Sequence, residues 1–401
     1  MKAKKKTVYL DYASATPIDS GALRVLIENS KKVFANPSAL HRLGVEAKKI
    51  LEESRIRVAQ ELGAHADEIV FVSGGTESDN LALLGVVSAF KKKYPNIRPH
   101  IIVSSIEHSA VKASAEVLQE WGVDVSILPV NQAGIADVKQ LRKLMRPETI
   151  LVSVMMANNE IGSIEPVMEI AKEVRHARRH KQSDSRVGAP YPLFHTDASQ
   201  ALNYISIAVE KLGADLVTIN GSKIYGPKGT GALYIKRRTP IAQIMFGGDQ
   251  EFGLRPGTES LPAIAAFSHA VALAGKLRSK ESARLTKLRD YLITKLIKVP
   301  YSIRINGSLQ DRLPNNVNIS VSGYQGETLV LYLDAQGICV SARSACKSTD
   351  PESSHVIKAL GYDDEDAETG SIRISLGRDT TKQHLDYFVT SLVQILKLLA
   401  R

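Results

Sequence analysis

Short runs of apolar, often β-branched residues recur through the middle of the chain, each followed by a longer segment whose apolar positions return every three or four residues. The short runs, at 69–73, 100–104, 125–130, 150–156, 193–196, 216–219 and 232–236, predict strands; segments at 77–92, 109–121, 138–145 and 166–180 predict helices. Such alternation predicts an α/β fold with a mostly parallel sheet. In sheets of this kind, ligands sit beyond the carboxyl ends of the strands. From about residue 262 the pattern changes. A charged helical stretch runs to about 297, alternating segments follow at 303–306 and 317–321, and helical runs lie at 327–333 and 382–399. This predicts a large domain over 17–262 and a smaller α+β domain over 263–401 that takes in 1–16. Residues 182–192, rich in Ser, Gly and Pro, read as an exposed loop. The uncharged run 261–275 is too short to span a bilayer and contains Pro262 and His269, so it reads as a buried helix.

Composition narrows the class. The chain has 401 residues, 44% hydrophobic and 23% charged, which is ordinary for a water-soluble protein with sizeable cores. Two cysteines cannot build a disulfide framework and suit a reducing cytosol. The opening MKAKKKTVYLDY has lysines but no apolar run behind them, unlike a secretory signal. A cytoplasmic protein without a membrane partner is expected. The net charge of +10 favours an acidic partner, RNA included. Acidic residues are nevertheless interspersed through most of the chain. The one dense basic segment, RHARRHK at 175–181, places Arg175, Arg178 and Arg179 at helical spacing and reads as a solvated helix face, so direct nucleic-acid binding is not expected.

The polar residues of interest cluster just after the predicted strands. SGGTESDN, at 73–80, joins a strand to a helix. Its glycines allow close backbone approach, and Thr76 lies where open N–H groups and the helix dipole favour a phosphate, although a plain capped turn has the same letters. His108 and Asn159 each follow a strand and are equally compatible with capping roles. Asp197 ends an apolar strand in LFHTDASQ, ahead of Gln200; a carboxylate there must cap a turn or meet a cation. INGSKIYGPKGTGALY delivers Asn220, Ser222 and Lys223 to a strand end. Most lysines are solvated, but one partly desolvated in a cleft can attack a carbonyl as a free amine. Cys346 stands among small and polar neighbours, with Arg343 and Lys347 near enough to favour the thiolate, whereas Cys339 in GICVS has an apolar setting. The two cysteines form no CxxC motif, and no cluster has metal-ligand spacing.

Taken in order, these segments resemble the cysteine desulfurases of the class V aminotransferase family, the group serving iron–sulfur cluster assembly and tRNA thiolation. The likeness runs through VYLDYASATP, NPSALHRLG, EIVFVSGGTESDN, EHSAV, NNEIG, DASQ, SKIYGPKGTGALY, LRPGTES, SARSAC, ALG and SIRISLGR. It implies the type I fold of pyridoxal 5'-phosphate-dependent transferases and an enzyme converting L-cysteine to L-alanine. By the resemblance, Lys223 holds the cofactor as a Schiff base and moves the substrate Cα proton. Asp197 pairs with the ring nitrogen, Gln200 bonds the ring oxygen, and His108 stacks on the ring and takes part in proton transfer. Gly75, Thr76, Asn220 and Ser222 lie at the cofactor, and Thr258 reaches its phosphate from the other subunit of a homodimer. Asn159 lies against the cofactor, Arg373 binds the substrate carboxylate, and Asn36 lies near the substrate. Cys346 takes the sulfur as a persulfide and passes it to a sulfur-acceptor protein.

The chain departs from the family pattern in places. Ser222 stands where a phosphate-binding His is usual, Arg343 where Gly is common and Ala15 where Thr is common; residues near 182–192 are inserted. Two alternatives follow. One is a selenocysteine lyase or another class V enzyme; the other is a weakened paralogue serving as a scaffold.

Overall fold

The computed structural model describes residues 7–180, 187–342, 354–362 and 371–400. In chain order the elements are β1 (Val8–Tyr9), α1 (Ser20–Lys32), α2 (Arg42–Leu62), β2 (Ile69–Val72), α3 (Gly75–Lys93), β3 (His100–Ser104), α4 (Ser109–Glu120), β4 (Asp124–Leu128), α5 (Val138–Leu144), β5 (Thr149–Ser153), α6 (Val167–Arg179), β6 (Leu193–Asp197), α7 (Val209–Leu212), β7 (Leu216–Asn220), β8 (Gly231–Ile235) and α8 (Leu261–Leu296). They continue with β9 (Ile303–Asn306), β10 (Asn316–Val321), α9 (Gly326–Ala335), β11 (Ile338–Cys339), α10 (His355–Ala359), β12 (Ser371–Ser375) and α11 (Lys382–Leu399). The predicted strands and helices all occur, shifted at their ends by a few residues. α1 and α2 had no counterpart in the sequence prediction.

β2 to β8 form one sheet in the order β2-β8-β7-β6-β5-β3-β4. The β3–β4, β3–β5, β5–β6 and β6–β7 pairs are parallel; β8 is antiparallel to both neighbours. β2 therefore runs in the same direction as β7, and β2, β3, β5, β6 and β7 all present their carboxyl ends at one edge. Both faces of the sheet are covered, as parallel strands require. Ile102, Val152 and Val217 pack with Leu51 of α2, Ile170 of α6 and Phe267 of α8. Ile101, Val103 and Leu216 turn the other way, onto Leu83 of α3 and Leu118 of α4.

A second core fills between the β12-β10-β9 sheet, the β1–β11 pair and helices α8, α9 and α11, through residues such as Leu285, Leu292, Ile319, Leu333, Ile372 and Phe388. α8 has 36 residues and is about 54 Å long at 1.5 Å per residue. Its first turns pack into the core of the large sheet and its last turns into the second core, so one rigid element sets both. Among the described residues, no helix is long and apolar enough to cross a membrane.

Two expectations are corrected. Residues 187–192 are exposed only in part: Gly188 and Ala189 are exposed, but Val187 and Tyr191 are buried, and the Tyr191 ring meets Phe90 edge-on at 5.3 Å. Their apolar side chains complete the core beneath α3. The RHARRHK segment is not wholly a solvated face either. Arg178 donates to the Pro192 carbonyl at 2.8 and 3.0 Å and to the Asp215 carboxylate at 2.5 and 3.3 Å, and Arg175 lies across Gly213. Asp215 is buried and also accepts from Phe194 N, so its charge needs that partner. Arg178→Ala is expected to cost about 3 kcal/mol, the order seen when one partner of a buried pair is removed. Exposed Arg179→Ala should stay within about 0.5 kcal/mol. Urea unfolding of the two variants checks the contrast, and equal losses would place the basic face in solvent after all.

Candidate active site

Five strand ends and the N-terminal segment meet in one pocket. β2 leads into Gly74 and Gly75, β3 into His108, β5 into Asn159; β6 ends at Asp197 and β7 at Asn220, one turn before Lys223. The wall is completed by Ala13, Ser14, Asp79, Met155, Ala157, Ser199 and Gln200, and by Arg373 from β12.

Local geometry explains each placement. Gly74 has φ 153° and ψ −173°, a backbone region open essentially to glycine alone. The strand can then turn straight into α3, whose first N–H groups face the pocket rim. A Cβ on Gly75 would lie 3.2 Å from both the Asn220 amide nitrogen and the Ser199 hydroxyl, so glycine keeps a concave cradle there. His108 caps α4, its Nδ1 accepting from Ala110 N at 3.1 Å, which leaves the proton on Nε2. Asp197 accepts from Ser199 N at 2.8 Å through Oδ1 alone. Gln200 Nε2 donates to the Ala13 carbonyl at 2.9 Å. Lys223 Nζ donates to the Ser14 carbonyl. Arg373 is buried; it donates to Asp11 Oδ1 at 2.8 Å, Ser14 Oγ at 2.5 Å and the Asn159 carbonyl at 3.0 Å, and its Nε has no partner among the described residues.

A layer of buried polar groups lies behind Asp197. Burial, reinforced by the Asp197 charge, holds the Asp79 carboxyl well above the usual carboxylate range, against a smaller opposing effect of the Thr218 hydroxyl. His195, pushed down to about 4 by burial, is neutral and bonds Ser153 Oγ at 2.8 Å and Thr218 Oγ1 at 3.1 Å, tying β5, β6 and β7 together. Asp79 lies 3.7 Å from His195 Nε2, and with the imidazole neutral this is no ion pair. Glu107 is pushed up to about 8, mainly by burial; it accepts from Ser104 Oγ at 2.5 Å and Met155 N at 2.8 Å.

Of the residues singled out in the sequence, Gly75, Thr76, His108, Asn159, Asp197, Gln200, Asn220, Lys223 and Arg373 line this pocket. Three do not. The Ser222 hydroxyl turns away to donate to Asn220 Oδ1 at 3.0 Å. Thr258 and Asn36 are exposed on loops outside the pocket. Cys346 lies outside the described residues. The chain leading to it is fixed at Ser341, which exchanges both backbone hydrogen bonds with Arg373. Beyond it, Ser354 Oγ donates to Glu160 at 2.6 Å and the His355 ring bonds the Glu107 carbonyl at 3.0 Å. The sequence reading passed over Asp79 and Ser14. Asp79 is one helical turn from Gly75 and so faces the same side, a signal present in SGGTESDN.

Comparison with known proteins decides the family. Residues 8–388 match the family described as aminotransferase class-V. A cysteine desulfurase IscS of Dictyoglomus turgidum is 42% identical over 98% of this chain and 95% of its own length. A solved structure titled NifS-like protein is 33% identical with a TM-score of 0.88, covering 98% of this chain and 100% of the other. A solved structure titled SspA in complex with cysteine is 31% identical with a TM-score of 0.76, covering 92% of this chain and 99% of its own. The chain belongs to the class V aminotransferase family.

Enzymes of this family that resemble the chain depend on pyridoxal phosphate, and the pocket suits that group. The open end of α3 and the Gly75 cradle suit a phosphate. A carboxylate at a strand end suits a ring nitrogen, an amine lines the same pocket, and a guanidinium whose Nε has no partner among the described residues stands at the wall.

Glu107 also gives the class V fold a pH dependence. The folded chain keeps its proton up to about pH 8, whereas the unfolded chain releases it near 4.5, the ordinary range of a glutamate. Between those values the folded state binds more protons, so stability falls as pH rises, by up to about 1.4 kcal/mol per unit from this group. Glu107→Gln retains an acceptor oxygen and removes the titration. The variant is expected to gain on the native chain steadily from pH 5 to 8 in urea unfolding. A constant difference across that range would mean that Glu107 is ionised in the folded state.

Proposed function

We propose that the chain is a cysteine desulfurase that converts L-cysteine to L-alanine and leaves the sulfur as a persulfide on Cys346. The observation carrying this is the convergence of Lys223, Asp197, His108 and Arg373 on one pocket whose wall is hydrogen-bonded to the start of the Cys346 segment. Bound pyridoxal phosphate supplies an electron sink that acidifies the Cα–H of an amino acid. Arg373 takes the substrate carboxylate through the guanidinium edge that now serves Ser14 and Asp11. Lys223, released from the Ser14 carbonyl, carries the proton at Cα. Asp197 keeps its second oxygen for the ring nitrogen, since Oδ1 is used on Ser199 N. Gln200, Asn159 and His108 border the ring.

The Cys346 thiolate attacks the substrate sulfur and the Cβ–S bond breaks. Its electron pair returns to the carbon framework, which takes up a proton and leaves as alanine. The transferred sulfur then passes from Cys346 to an acceptor protein, for iron–sulfur cluster or thionucleoside synthesis in the cytosol.

The reading includes a homodimer in which Thr258 contacts the phosphate held by Gly75 and Thr76 of the second copy. Support comes from the position of Thr258, exposed and outside its own pocket, and from apolar side chains on the preceding stretch: Phe246 is 79% and Phe252 57% exposed. Side chains of this size in solvent favour a covering surface.

Two variants separate the steps. Lys223→Ala should lose alanine production altogether, because no amine remains to move the proton. Cys346→Ala should bind cofactor and cysteine as the native protein does, yet release no alanine and carry no added sulfur by mass spectrometry. Sulfur on Cys339, or native turnover by Cys346→Ala, would overturn the assignment.

Ser222→His offers a charge to the phosphate where the serine hydroxyl is spent on Asn220. Cofactor retention on dialysis is expected to improve by about tenfold or more, the effect of one charge-assisted hydrogen bond. Unchanged retention would mean that position 222 does not face the phosphate.

A further inference from the structure

The loop over 249–258 is held by an ion pair that the proposed chemistry does not use. Glu251 and Phe252 have φ of 47° and 60°, left-handed conformations that are costly for residues with a Cβ and persist only where the surroundings enforce them. The enforcing contact is buried: Arg55 of α2 meets the Glu251 carboxylate with two bonds of 2.7 and 2.8 Å, the two side chains being 4% and 1% exposed. Glu251 also accepts from Phe71 N of β2 at 2.8 Å, and Arg55 donates to the Ile69 carbonyl at 2.7 Å. The Arg55 guanidinium lies over the rings of Phe71 and Phe252, its carbon 4.9 and 5.1 Å from their centroids.

Two further contacts fasten the rest of the loop. Gln250 Oε1 accepts from Gly257 N at 3.0 Å, closing the loop on itself immediately before Thr258. Arg255 donates to Glu77 at 3.0 Å, and Glu77 accepts from Ser73 N at 2.6 Å, so the same loop is tied to the first turn of α3 beside Thr76.

We infer that the Arg55–Glu251 pair is a positioning element for cofactor binding in the second copy: it enforces the backbone reversal at Glu251 and Phe252 that projects Thr258 outward. This rests on the proposed dimer, in which Thr258 meets the neighbour's phosphate. A bidentate, buried pair is suited to the task because planar pairing fixes orientation as well as distance. Losing its geometry would release two strained residues together.

The test compares Thr258→Val, Glu251→Gln and the double variant. Pyridoxal phosphate dissociation constants are read from cofactor absorbance after equilibrium dialysis of the full-length protein, with melting temperature and mass by light scattering alongside. Thr258→Val and Glu251→Gln are each expected to weaken retention by about tenfold, the effect of about one hydrogen bond. The double variant should be no more than about threefold worse than Thr258→Val alone, the mark of residues acting through one contact.

If Glu251→Gln proves too unstable to assay, the paired Arg55→Met, Glu251→Leu replacement removes both charges while filling the site, and should give the same loss. Multiplicative losses in the double variant, or native retention by Glu251→Gln while Thr258→Val is weakened, would overturn the positioning role. Native retention by Thr258→Val would instead overturn the proposed contact between copies, and this inference with it.

Discussion

A buried guanidinium organises the pocket. Arg373 is 2% exposed, and a charge so placed must be met on most sides by acceptors. It finds them in segments far apart in sequence: the Asp11 carboxylate and Ser14 hydroxyl from the chain start, and the Asn159 carbonyl after β5. Satisfying one arginine therefore pins the N-terminal segment across the pocket and sets the Asn159 turn against β12. Ser14 extends the arrangement, since its carbonyl receives Lys223 Nζ while its hydroxyl serves Arg373. The two cations of the site thus share a residue without facing one another directly. Each can exchange a protein acceptor for a ligand without leaving a buried charge bare.

The groups behind Asp197 complement this. Two more carboxyls, Asp79 and Glu107, lie close enough for the Asp197 charge to raise both. Burial favours their protonated forms, in which they fill space and add polarity without adding negative charge beside Asp197. The neutral His195 ring, bonded to Ser153 and Thr218, holds the neighbouring strand ends at a common level. Local electrostatics and strand register are settled by the same few residues.

Much of this was legible in the sequence because the two periodicities there are clean. Strands buried on both faces give short continuous apolar runs, and α3, α4 and α6 follow them with a helical stripe. α2 was missed for a physical reason. Its buried stripe is built partly from Gly44, Ala47, Ser54 and Arg55, small or charged residues that a hydrophobic pattern does not register. The same limit hid Ser14, whose significance comes from long-range contacts that letters alone do not carry. Arg178 was misread because a solvated arginine and one meeting a buried Asp215 have the same spacing. The pocket residues follow from strand-end positions and the family resemblance together. Spacing alone left Lys223 and His108 open to ordinary roles.

The serine at position 222 links the site to the loop that bears Thr258. Its hydroxyl closes the turn on Asn220 Oδ1, and the Asn220 amide nitrogen borders the Gly75 cradle. Position 222 thus braces the turn that presents Lys223 and contributes no positive charge. On the proposed assignment, a phosphate at this rim is held within its own chain by the dipole and open N–H groups of α3 and by the Thr76 hydroxyl. None of these is a full charge, and Glu77 in the same first turn is an acid. Arg255 pairs with Glu77 and offsets its charge at the rim, and it does so from the loop that Arg55 and Glu251 hold in place. With serine in place of the usual histidine, the demand on this loop rises, because it neutralises Glu77 and, in the proposed dimer, projects the hydroxyl offered to the second copy.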